Sequence, residues 1–101
     1  MLMLRVTYHV KPGMRDAFVK ALQEEEIAAS TRREEGNVDY AFSLPLDDPD
    51  TLFLLELWES KENLGPHGKQ PKFLRLQELK AEYVESSDIL FYDAQPKVKK
   101  K

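Results

Sequence analysis

The chain has 101 residues, of which 42% are hydrophobic and 33% charged, carries a formal charge of −3 and contains no cysteine. This length supports one domain with a single modest core, and the balance of apolar and charged residues excludes a disordered polymer. Scattered basic residues exclude a nucleic-acid groove, and without thiols there is no disulfide framework, thiolate zinc site or cysteine nucleophile.

The opening apolar run meets Arg5 too early for a signal-peptide core, and no later run exceeds Leu52 to Leu55, far short of a membrane span. The expectation is a cytoplasmic protein with no membrane partner. From residue 2 to residue 10, Leu2, Leu4, Val6, Tyr8 and Val10 alternate with Met3, Arg5, Thr7 and His9, the period-two signature of a strand, which Lys11-Pro12-Gly13 stops. From Met14 the spacing turns helical, with Met14, Ala17, Phe18, Ala21 and Leu22 on one face. The charges Glu24 to Glu26, Arg32, Arg33, Glu34 and Glu35 read as the solvated face of one long helix, which Gly36 is placed to cap.

Val38, Tyr40, Phe42 and Leu44 alternate in a second strand, and the Asp- and Pro-rich residues 45–50 form a turn. The third strand, TLFLLELWE, is apolar on both sides: Leu52, Leu54 and Trp58 on one, Phe53, Leu55 and Leu57 on the other. Ser60 is placed to cap a helical turn that ends at Gly65-Pro66, and a second helix restarts at Pro71 with Phe73, Leu76, Leu79 or Lys80, and Tyr83 as its inner stripe. Residues 88–93, DILFYD, form a fourth strand. Residues 1–95 thus make one domain, and residues 96–101 read as a basic, disordered tail.

Strand, helix, strand, strand, helix, strand is the order of the α+β ferredoxin-like fold, a four-stranded antiparallel sheet with both helices on one face. Such a layout leaves the other face bare, yet the third strand is apolar there. A second copy is expected to cover it, giving a homodimer through the sheet faces, a dimeric α/β barrel, with about 800 Å² or more buried per chain.

Four residues carry candidate chemistry. His67 lies between Gly65-Pro66 and Gly68, where a loop is expected to aim its imidazole into the gap between helix and sheet as a general base. Trp58 ends the two-sided strand and serves either packing or a ring platform. Glu56 interrupts an apolar run and needs a partner, for which Arg5 is available, and His9 meets solvent or lines the same space. Two imidazoles without ligand spacing do not make a metal site, and there is no phosphate loop, nucleophile elbow or dinucleotide fingerprint, so no cofactor is expected.

The stretches KPGMRDAFVKAL and REEGNVDYAFSLPLDDPDTLFLLELWESKENLGPHGKQPKF resemble the antibiotic biosynthesis monooxygenase family over about residues 5–93. The shared pattern is a Pro-Gly before the first helix (Pro12, Gly13), E-x-G-N-x-x-Y entering the second strand (assigned to Glu35, Gly36, Asn37 and Tyr40), E-x-W ending the third (Glu56, Trp58), and a histidine nine residues beyond that Trp (His67). The resemblance implies the same fold and sheet-to-sheet dimer. It also implies cofactor-independent oxidation of a quinol-like or phenolic metabolite by O₂, with His67 as base and Trp58, Tyr40, Tyr8 and Phe73 enclosing the ring. Lys72 stands where many members have a second histidine, and the first strand lacks the Asn of heme-degrading relatives, which disfavours heme degradation. Two alternatives share the pocket: a non-catalytic small-ligand-binding dimeric module, and a His-dependent isomerase of a small signalling metabolite.

Overall fold

The computed structural model describes residues 1–100. Strand β1 (Leu2–Val10) runs through the middle of a four-stranded antiparallel sheet of order β2-β3-β1-β4, formed with β2 (Asn37–Ser43), β3 (Thr51–Trp58) and β4 (Val84–Asp93). Helices α1 (Arg15–Glu24), α2 (Ile27–Thr31) and α4 (Pro71–Tyr83), with the single-turn α3 (Leu64–His67), complete it. This is the ferredoxin-like α+β arrangement.

The core lies between the helices and one face of the sheet. The register Val6 to Leu54, Leu4 to Glu56 and Phe42 to Leu54 places Leu4, Val6, Tyr8, Leu52, Leu54 and Tyr40 on that face, all buried against Phe18, Leu22, Ile27, Leu76 and Leu79 of the helices. Alternation therefore does what period-two patterns do, committing each strand to one inward set. The other set faces away from the helices, and there Leu55, Leu90 and Tyr92 remain exposed.

Five local features depart from expectation. The long first helix breaks at Glu26, whose φ of 53° is left-handed, a conformation that costs a non-glycine residue roughly 1–2 kcal/mol. The break is held on both sides. Glu25 is gripped by Arg75 Nε (2.6 Å) and Lys72 Nζ (3.4 Å) of α4, and Ile27 buries fully, with Thr31 Oγ1 donating back to its carbonyl at 2.8 Å. Gly36 consequently caps no helix. It sits at φ 79° beside the Asn63 side chain, into which any Cβ would run, and its carbonyl accepts from Glu59 N at 2.8 Å. Val38 is an extra residue in β2, a bulge between Asn37 and Asp39, so it is exposed rather than aligned with Tyr40.

Gly65-Pro66 does not interrupt helical backbone either. A 3-10 turn over Lys61–Asn63 runs directly into α3, and Pro66 lies within its first turn, where a backbone N–H has no helical partner to lose. β4 begins at Val84, immediately after α4 and earlier than the expected residue 88. Residues 94–100 carry no regular secondary structure, and position 101, the last of the expected tail, lies outside the described residues. Among the described residues no helix is long and apolar enough to cross a membrane.

Candidate functional site

The site is built where β3 passes under α3. Inward alternation along β3 brings Leu52, Leu54, Glu56 and Trp58 to the helix side, so a carboxylate lands in the core between Tyr40 on β2 and Leu4 on β1. Glu56 is buried, and its Oε1 accepts from the Trp58 indole Nε1 at 3.1 Å. Arg5 lies on the opposite face of the sheet and plays no part, which corrects the expected pairing. Burial pushes the Glu56 carboxyl above the ordinary glutamate range, and the Trp58 hydrogen bond and the neighbouring His67 only partly oppose that rise.

His67, the last residue of α3, is only 6% exposed. Its ring packs on Trp58 (centroids 4.8 Å apart), Phe73 (5.0 Å) and Tyr40 (6.2 Å). Nδ1 lies 2.8 Å from Oε1 of Glu34, itself almost buried with 13% of its side chain exposed. A carboxylate accepts, so Nδ1 donates, and in the neutral imidazole Nε2 is left as the basic nitrogen. Nε2 stands 3.9 Å from Glu56 Oε1, too long for a hydrogen bond and close enough for charge to be felt.

A cavity of about 370 Å³ opens between α4 and the sheet, and His67, Glu56, Tyr8, Tyr40, Phe73 and Lys80 are among its lining residues. Ile89 and Phe91 of β4 complete it, and the wall is mostly apolar. Burial, followed by the nearby Glu56 charge, raises the Tyr8 phenol well above its ordinary value. Tyr40 is raised in the same way, with Tyr8 as an added cause. Both stay neutral and can donate a hydrogen bond, but neither is a base. Lys80 is shifted downward by burial, with Glu56 opposing. On the far flank of His67 a second, polar cavity of about 420 Å³ is lined by Glu34, Arg33, Asn63 and Gln70. A third, of about 510 Å³, lies away from His67 between α1, α2 and β2, against Leu22, Ala29, Phe42 and Leu44.

Of the residues singled out in the sequence, Tyr8, Tyr40, Glu56, His67 and Phe73 share one cavity. Trp58 is fully buried and lies behind the imidazole rather than in the cavity wall. His9 is elsewhere altogether. One place out of phase with Tyr8 and Val10, it points from the opposite sheet face and pairs with Asp88 at 2.8 Å, exposed to water. Two residues were missed. From the sequence Glu34 reads as part of a solvated charge run and Glu35 as the motif carboxylate, although E-x-G spacing counted back from Gly36 lands on Glu34. Lys80 was legible only as an alternative to Leu79 on the inner stripe. Among the described residues no group of three His, Asp or Glu is arranged to hold a metal ion.

The family model described as antibiotic biosynthesis monooxygenase matches residues 1–79. No curated protein matches the sequence. Among solved structures, the chain is similar to a candidate antibiotic biosynthesis monooxygenase from Nitrosomonas europaea, with TM-score 0.84, 22% identity, and 93% of this chain and 98% of that chain covered. It is also similar to a Pseudomonas aeruginosa protein (TM-score 0.84, 22% identity, 94% of each chain) and to a conserved Methanosarcina mazei protein (0.82, 24%, 93% of this chain and 92% of that chain). At these identities the likeness is one of fold.

Proposed function

Because the chain belongs to the antibiotic biosynthesis monooxygenase family, we propose that it oxidises a small quinol-like or phenolic metabolite with O₂, the substrate itself supplying the electrons. Family membership supports the general monooxygenase-like role. The observation that carries the finer reading is the buried His67–Glu34 pair at 2.8 Å, with Nε2 turned to an aromatic, mostly apolar cavity. A phenol whose hydroxyl meets Nε2 passes its proton to the imidazole, and Glu34 stabilises the imidazolium that forms. The phenolate is the electron-rich species that O₂ attacks. For a phenol open at the para carbon, the overall change is phenol plus O₂ to quinone plus water: one oxygen atom ends in the new carbonyl, the other in water, and O₂ accepts all four electrons.

The exposed Leu55, Leu90 and Tyr92, flanked by Phe53 and Leu57, make the open sheet face the surface for a second copy. A cytoplasmic setting suits a chain without cysteines. Oxygen-electrode traces with a panel of hydroquinones and naphthols, repeated with His67→Ala, test the activity. Uptake above the spontaneous rate that is lost in the variant is the expected result; no stimulation by any substrate would sink the enzyme reading. Product formed without oxygen would indicate an isomerase, and tight binding without turnover a ligand-binding module.

A further inference from the structure

The geometry points to an anionic aromatic guest: we infer that the cavity beside His67 selects ring compounds bearing a carboxylate or an equivalent anionic oxygen group, which Lys80 receives. The inference specifies the substrate class for the function proposed above, and it is tested by binding rather than turnover.

Lys80 lies on the α4 stripe that begins at Phe73 and passes through Leu76, so its stem runs along the cavity wall. Its Nζ stands 5.5 Å from the centroid of the buried Tyr8 ring. The ammonium has no carboxylate within ion-pair distance among the described residues, and its hydrogen-bond partner is the neutral Gln77 Oε1 at 3.4 Å. Two lysines differ: Lys72 grips Glu25 and Lys20 faces Glu24 on the surface. Lys80 is thus a cation drawn partly out of water, and an arriving anion offsets that desolvation with a charge-assisted hydrogen bond.

The rest of the cavity fits the other parts of such a molecule. Leu4, Val6, Leu76 and Phe91 offer apolar surface for the ring. Lys80 stands seven residues beyond Phe73, the residue packed on His67, which is roughly 10 Å along the helix at 1.5 Å per residue. One fused two-ring compound can therefore present a hydroxyl to His67 and an acidic group to Lys80. Glu56 faces the same space, and burial raises its carboxyl above the ordinary glutamate range, which works against its carrying the charge that would repel an anion. The volume of about 370 Å³ is at the small end of the roughly 300–1,000 Å³ usual for small-molecule sites.

The test is isothermal titration calorimetry near pH 7 with 6-hydroxy-2-naphthoate, whose hydroxyl and carboxylate lie at opposite ends of the fused rings, and with 2-naphthol, which has the same ring system and hydroxyl and lacks the carboxylate. The wild type is expected to bind the naphthoate about tenfold or more tightly than the naphthol. Lys80→Met should abolish that preference while leaving naphthol affinity within about threefold, and Lys80→Arg should keep it, since both preserve the stem over Tyr8. Lys72→Met, outside the cavity, should leave the preference unchanged and controls for general loss of positive charge. Equal affinities in the wild type, binding of neither compound, or a preference that survives Lys80→Met would overturn the inference. A carboxylate preference without any oxygen uptake would overturn the monooxygenase reading and leave this one standing; uptake with neutral phenols and no preference would do the reverse.

Discussion

The two histidines form the same pair in two different solvents. His9 and Asp88 meet at 2.8 Å on the open face of the sheet, with 46% and 76% of their side chains exposed. His67 and Glu34 also meet at 2.8 Å, but with 7% and 13% exposed. The distance is the same, so distance cannot be what distinguishes them. In the single chain, water screens the first pair and its partners are free to exchange for solvent. In the second, aromatic rings fix the imidazole on several sides and one carboxylate fixes its tautomer, so a single basic nitrogen is presented to a mostly apolar cavity.

The contrast can be broken most strongly by deleting each imidazole in turn. His67→Ala should reduce catalysed oxygen uptake by about 10²- to 10⁴-fold, the usual worth of a positioned base, whereas His9→Ala should leave it within about twofold. Exchanging the carboxylates comes next. Glu34→Gln keeps an acceptor for Nδ1 and loses the charge that stabilises the imidazolium, so kcat should fall by roughly 10- to 100-fold. Asp88→Asn should change kcat little; if it matched Glu34→Gln, burial would not be what separates the pairs.

Smaller effects concern stability around the buried pair. Trp58→Phe removes the donor to Glu56 while keeping ring bulk, and should cost about 1–3 kcal/mol in urea unfolding, the penalty of an unsatisfied buried polar group. The smallest effect is a slope with pH. The folded state raises Glu56 above its ordinary value of 4.5, so it holds a proton that the unfolded chain has released. Stability from this group is present below that value and is lost as pH rises through the folded-state value. Glu56→Gln should flatten the decline of the urea midpoint as pH rises above 4.5. An unchanged slope would show that the carboxyl ionises normally in the core.

The strands were legible because period two is a local code: each inward residue of β1 and β3 could be read from its neighbours, down to Glu56 sharing a face with Leu54 and Trp58. The site was legible in part, and for a physical reason. Nothing within a few residues of Glu26 marks a left-handed turn, since what holds it is the burial of Ile27 and the grip of Lys72 and Arg75 on Glu25, all tertiary. That turn redirects the chain, and Glu34 moves from a presumed solvated face to the side of His67. Pro66 read as a breaker because its place within a first turn depends on where the turn begins. Lys80 belongs to an inner stripe otherwise apolar, and only the depth of the cavity shows that its head group stays there.

Glu34 lies two residues before Gly36, and His67 lies four residues after Asn63. The spot where Gly36 meets Asn63 therefore joins the segment that carries the acid to the segment that carries the base. Their spacing is set by a hydrogen atom where every other amino acid has a carbon. Even one methyl group there would collide with the Asn63 side chain and strain the join between the two segments, without altering either Glu34 or His67.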